Sequence, residues 1–138
     1  MTTLFVDTSA FYAAVDRGDG SHHRAITVLG AGDRLLTSDH VLIETWLLLR
    51  YRLGRHPAER FWAAVRGGSA GIEPVGDGDL EAAWAMGEAF PDQDFSIVDR
   101  TSFAVMQRLG VLRVASFDDD FAIFRFGSRR ERAFEVLR

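Results

Sequence analysis

The sequence predicts an α/β fold in three layers, α/β/α, with a central and mainly parallel sheet. Three observations carry that expectation. Leu4, Phe5 and Val6 form a continuous apolar run rather than an alternating one, which suits a strand buried on both faces. Short apolar runs alternate with helix-compatible stretches along the chain. Two of the runs, residues 4–6 and 111–115, are followed closely by an aspartate, Asp7 and Asp118, at the edge where open α/β sheets bind ligands. The 138 residues fit a single domain over 1–138, large enough to build a core without covalent staples.

The elements follow in order. A helix is expected over residues 9–15, then a turn at 17–20. Ser21 can cap a second helix carrying Ala25, Val28 and Leu29, ended by the glycines at 30 and 32. Its first turn holds His22 and His23. Adjacent helical positions point about 100° apart, so the pair reads as solvated surface and not as a metal site. Residues 34–37 form a short second strand. Ser38 and Asp39 offer a cap for a strong helix over 40–52, closed by Gly54. Pro57 suits the first turn of a helix that runs to about residue 65. The glycine-rich residues 67–71 connect to a short edge strand at 72–75. Residues 79–90 are helical, 91–94 a loop, and 96–109 a further helix ending at Gly110. The strand at 111–115 leads through a turn at 117–121 into a last short helix. The remainder, 125–138, holds five arginines and reads either as a solvated tail or as a contact for nucleic-acid phosphates. Trp46 is expected in the core, and the Phe61-Trp62 pair at a contact with another subunit or partner.

Composition removes whole classes of chemistry. There is no cysteine, which excludes disulfides, thiolate metal sites and a cysteine nucleophile. All sixteen basic residues are arginine, so the P-loop nucleotide site and Schiff-base chemistry, which need a lysine, are also excluded. The net charge of −4 supplies no global field for nucleic acid, which would have to be met by local arginines or through metal ions. No apolar run approaches a bilayer span, and no basic region precedes an apolar one at the N-terminus, so the expectation is a cytoplasmic protein without membrane association.

The acids are the informative residues. Glu44 has Val41, Leu47 and Leu48 as its same-face helical neighbours, and neither Arg50 nor Arg52 stands at a pairing distance along the helix. A carboxylate on an apolar face needs a metal ion, a distant arginine or an opening to solvent. Asp99 follows Ser96 by three residues, as in a capping box, and a cap is compatible with a ligand role. For Asp7 and Asp118 the alternative is again a helix cap. Asp119 and Asp120 read as solvated, and Asp94 as a loop residue able to support a site. Carboxylates at 7, 44, 99 and 118 with no histidine, cysteine or lysine among them make a hard-oxygen set that selects Mg²⁺ or Mn²⁺. Such ions carry phosphodiester chemistry. Ca²⁺ binding alone is the other reading of such a set, against which stands the lack of EF-hand spacing.

The same residues carry a resemblance. Phe5-Val-Asp-Thr-Ser-Ala10, Val41-Leu-Ile-Glu44-Thr, Asp92-Gln-Asp-Phe-Ser-Ile-Val-Asp99-Arg-Thr-Ser-Phe-Ala-Val-Met106 and Phe117-Asp-Asp-Asp-Phe121 resemble, in family order, the motifs of PIN domains, and within them the VapC-like toxins of type II toxin–antitoxin systems. The resemblance implies metal-binding acids at Asp7, Glu44, Asp99 and Asp118, with Thr8 or Ser9 orienting the first acid and Asp120 at a fifth position that varies in the family. It further implies a Mg²⁺- or Mn²⁺-dependent endoribonuclease acting on RNA, usually a homodimer, held inactive by a cognate antitoxin. Arg100 departs from the pattern, which commonly has a small or uncharged residue there, and its expected consequence is altered substrate access.

Two other readings compete. A phosphatase or phospho-accepting domain on a similar sheet usually needs a lysine that this chain lacks. A non-catalytic α/β binding or scaffold protein would use the acids only as caps and ion pairs, and its stability would not respond to Mg²⁺ or Mn²⁺.

Overall fold

The computed structural model describes residues 2–138. Its elements are β1 (Thr3–Val6), α1 (Thr8–Val15), α2 (His22–Leu29), β2 (Arg34–Ser38), α3 (Asp39–Arg52), α4 (Arg55–Ala64), β3 (Gly71–Glu73), α5 (Asp77–Ala89), α6 (Ile97–Leu109), β4 (Arg113–Ala115), α7 (Asp120–Ile123) and β5 (Glu135–Leu137). All five strands run parallel, in the order β3-β2-β1-β4-β5. Successive strand residues face opposite sides of a sheet. Leu4, Phe5 and Val6 are all fully buried, so helices cover β1 on both faces, as the unbroken apolar run predicts. Among the described residues, no helix is long and apolar enough to cross a membrane.

Strand order places the crevice. The chain moves from β1 outward through β2 to β3, then returns to the other side of β1 for β4. The carboxyl ends of β1 and β4 therefore form a topological switch point, where adjacent connections leave in opposite directions and a cleft opens. The ladder continues one step past the strands, since Asp7 donates its N–H to the Ala115 carbonyl at 3.1 Å.

Helix ends behave largely as the sequence suggests. Ser38 Oγ accepts the Val41 N–H at 3.1 Å, and Ser96 Oγ accepts the Asp99 N–H at 3.0 Å. Gly110 ends α6 with a left-handed φ of 68°, a conformation that costs a β-carbon little only when there is none. Helix α5 starts two residues earlier than expected, with Gly76 as its cap. Asp79 stands at the third helical position, where its carboxylate accepts the Gly76 N–H at 2.9 Å and a two-pronged bond from Arg108.

The C-terminal residues are not a solvated tail. Residues 135–137 pair with β4 as a fifth strand, and Phe134 is buried. It joins an aromatic cluster in which Phe103 stacks on Phe124 at 4.2 Å and meets Phe121 edge-on at 4.9 Å. Phe61 likewise belongs to the core and not to a partner surface, edge-on to Phe11 at 5.1 Å, while its neighbour Trp62 is partly exposed.

Candidate active site

Seven carboxylates line one cavity of about 510 Å³ at the switch point: Asp7, Glu44, Asp99, Asp118 and Asp120, from four separate segments, together with Asp19 and Asp94. Asp7 stands at the β1 end, Glu44 on α3, Asp99 in the first turn of α6, Asp118 on the turn after β4 and Asp120 at the start of α7. One oxygen from each of Asp99, Asp118 and Asp120 lies within 4.8 Å of the others. The four acids expected from the sequence thus face one space, and Asp120, read from its local pattern as solvated, is drawn in beside Asp99. Asp94 lies exposed at the rim, and Asp119 turns outward to pair with Arg138 at 2.7 Å.

The competing roles can be checked side chain by side chain. Asp7 occupies the cap position of α1 but its carboxylate caps nothing. Its Oδ2 instead accepts hydrogen bonds from Ser9 and Ser116, each at 2.9 Å. Ser9 thus meets the expectation of a hydroxyl on the first acid, whereas Thr8 donates to Glu44 Oε1 at 2.6 Å. Asp118 accepts the Asp120 N–H at 2.9 Å, a local turn bond that engages only Oδ1. For Asp99 the cap is made by Ser96, which leaves the carboxylate to face the other acids. Ser116 is the residue that the sequence pattern does not single out. Its signal is positional: a hydroxyl directly after β4, beside the end of β1, reaches Asp7 and also accepts the Asp118 N–H at 3.1 Å.

Electrostatically the site is under tension. Burial raises the Asp7 carboxyl to about 6, even though the Ser116 and Ser9 hydroxyls stabilise its charge, and Glu44 adds repulsion. Burial raises Asp99 further, to about 8, with the hydrogen bond to Asp120 and the charges of Asp7, Asp118 and Asp120 acting in the same direction. Asp120 is also raised, first by burial, so the Asp99–Asp120 pair retains a proton that separate carboxylates would have lost. Among the described residues, no arginine or histidine nitrogen forms an ion pair with any of the five acids. Hard oxygen donors, converging and without a cationic partner, fit a small divalent ion such as Mg²⁺ or Mn²⁺ in both donor type and charge.

The remaining walls are mixed. Tyr12, with the Arg52 guanidinium 5.1 Å above its ring, lines one side, and Phe117 another. Arg100, expected to alter access, does not line the cavity. It packs its guanidinium against Gly87, where a β-carbon would come within 2.5 Å, and donates Nε–H to the Phe95 carbonyl at 3.0 Å.

A parallel sheet in this order, with acids gathered at its switch point, defines a class of protein. The PIN domain model matches residues 4–127, and the chain belongs to that family. Among characterised relatives, the 23S rRNA-specific endonuclease VapC20 of Mycobacterium tuberculosis is 38% identical over 125 residues, covering 89% of this chain and 95% of that protein. The crystal structure of Mycobacterium tuberculosis VapC20, a sarcin–ricin loop cleaving toxin, matches with a TM-score of 0.83 at 35% identity, over 87% of this chain and 93% of that one. VapBC2 from Rickettsia felis, bound to a DNA fragment from its promoter, shares the fold with a TM-score of 0.68 at 8% identity, over 98% of this chain and 97% of that chain.

Proposed function

We propose that this protein is a divalent-metal-dependent endoribonuclease, the toxin of a type II toxin–antitoxin pair, acting in the cytoplasm on the sarcin–ricin loop of 23S rRNA. The observation that carries the reading is the convergence of five unpaired carboxylates on the cavity at the switch point. The similarity to VapC20 supplies the substrate class. The cognate antitoxin and a homodimeric state belong to the same proposal, as does a single catalytic domain over residues 1–138.

In this reading Asp7, Asp99, Asp118 and Asp120 would hold the ion, with Glu44 on the wall of the same cavity. A divalent ion there would supply a lowered pKa for the attacking water and a counter-charge for the phosphodiester. The chain's own part is placement. Ser9 and Ser116 fix one oxygen of Asp7 and leave the other free, and Thr8 does the same for Glu44. Glu44, held through one oxygen by Thr8, is the group of the cavity wall that would accept a proton from the attacking water. Repulsion among the acids is relieved by a retained proton or by a cation, so a divalent ion would be held by groups that are poorly accommodated as bare carboxylates.

The test is cleavage of a sarcin–ricin stem-loop RNA by the purified protein in Mn²⁺ or Mg²⁺, and in EDTA. The expected outcome is one principal cut that needs metal and falls by at least about 100-fold in Asp7→Asn, the scale of losing one group that stabilises the transition state. Equal cutting in EDTA, or by Asp7→Asn, contradicts the reading.

A further inference from the structure

Beside the acidic cavity lies a second, basic one that the metal chemistry does not use. This groove of about 250 Å³ is lined by His23, Arg24, Thr27, Val28 and Arg138. It adjoins the acidic cavity at Arg24, which meets two residues of that cavity's wall, Ser21 and Phe117. The Arg24 guanidinium lies 5.7 Å from the centroid of the Phe117 ring, and Phe117 is itself a wall of the acidic cavity. The backbone that carries the ring is tied to the acids, because the Phe117 N–H donates at 2.9 Å to Ser9 Oγ, the same hydroxyl that holds Asp7.

The two arginines arrive there by topology. Arg24 projects from α2, and Arg138 follows β5, whose carboxyl end shares the sheet edge with the ends of β1 and β4. Arg24 has no carboxylate partner within 4.0 Å among the described residues, and its closest polar contact is Ser21 Oγ at 3.5 Å. Arg138 is paired only with the exposed Asp119. In a chain of net charge −4, cationic groups beside an anion-handling site are the feature that needs an explanation.

We propose that Arg24 and Arg138, with Phe117 between them and the acids, form a substrate-positioning subsite that binds the RNA backbone next to the scissile phosphate. The inference rests on the nuclease reading above and names residues for it. One phosphate is met through metal in the acidic cavity, and the neighbouring phosphate is met directly by guanidinium. Phe117 offers a ring face at the boundary, where an adjoining base can stack. Guanidinium suits this task because it presents several donors in a plane and keeps its charge. A purely acidic cavity would repel the flanking phosphates that its metal does not reach. The basic groove removes that penalty on one side and so gives the strand a direction across the site.

The test compares Arg24→Gln, Arg138→Gln and Phe117→Leu with Arg66→Gln, a matched charge loss at an exposed arginine on the turn before β3. Two readouts are taken on a fluorescent sarcin–ricin stem-loop: anisotropy binding in Ca²⁺, and steady-state cleavage in Mn²⁺. The subsite predicts that Arg24→Gln weakens binding about tenfold at low salt and lowers the salt slope by about 0.7–0.9. The cleavage defect should fall on KM more than on kcat, and Phe117→Leu should weaken binding without changing the slope. Arg24→Gln and Arg138→Gln that both match Arg66→Gln in affinity and slope, while the unmutated protein cuts, would overturn the subsite and leave the nuclease standing. An unmutated protein that neither binds nor cuts the RNA overturns both.

Discussion

At the residue scale, the site is a set of carboxylates held where carboxylates are uncomfortable. Asp7 is raised to about 6 and Asp99 to about 8, first by burial in each case. Both bind a proton more tightly in the folded chain than in the unfolded one. Between about pH 4 and pH 8 the folded state therefore holds more protons, and stability falls as pH rises. The metal-free protein is expected to melt at progressively lower temperature across that window. Asp99→Asn should flatten the slope and raise stability above pH 7 by at least about 1 kcal/mol, since it removes the charge and keeps the shape. Thermal melts of both proteins in EDTA from pH 4.5 to 8.5 measure this; a slope that is the same in the variant would assign the cost to other groups. Residue type and position drew attention to Asp7, Glu44, Asp99 and Asp118, but for three of them a helix cap was an equally local explanation, and the motif resemblance carried the metal-binding role. Ser116 and Asp120 were less readable. Their roles depend on which strand lies beside β1 and on how the turn after β4 folds back, and neither is encoded in local pattern.

At the element scale, the strands that announce themselves are those with strong internal signals. Residues 4–6 form an unbroken apolar run, and Ser38 and Ser96 cap real helices. Strand β5 gives no such signal. It is three residues long, follows an arginine-rich stretch, and exists because β4 supplies its ladder and Phe134 its anchor. The Phe61-Trp62 pair misled for a related reason: on a helix the two rings point apart, and only the fold shows that Phe61 meets Phe11. The aromatic cluster around Phe103 binds α6, α7 and the C-terminal residues into one unit. Phe103→Ala is expected to cost about 3–5 kcal/mol in denaturant unfolding, as for other fully buried phenylalanines. Because α6 carries Asp99, weaker metal stabilisation should accompany the loss. A cost under about 1 kcal/mol would show that the cluster is not what holds this end of the sheet.

At the scale of the whole molecule, function follows from strand order. Reversing the direction of travel between β3 and β4 sets the ends of β1 and β4 side by side, and acids from distant parts of the sequence meet there. Alternating elements and the apolar β1 run made a mainly parallel three-layer fold readable, and the motif resemblance pointed to the family. The strand order and the adjoining basic groove were not readable, since both arise from long-range placement. The central claim is that this edge is a divalent-metal centre, and the most direct measurement is a calorimetric titration of the protein with Mn²⁺ beside Asp99→Asn and Asp118→Asn. The account predicts saturable binding that is lost or greatly weakened in both variants, with stabilisation of the unmutated protein by about 2.7 kcal/mol at a hundredfold excess over Kd. Mn²⁺ that produces no heat and no stabilisation, or that binds the variants equally well, would contradict it.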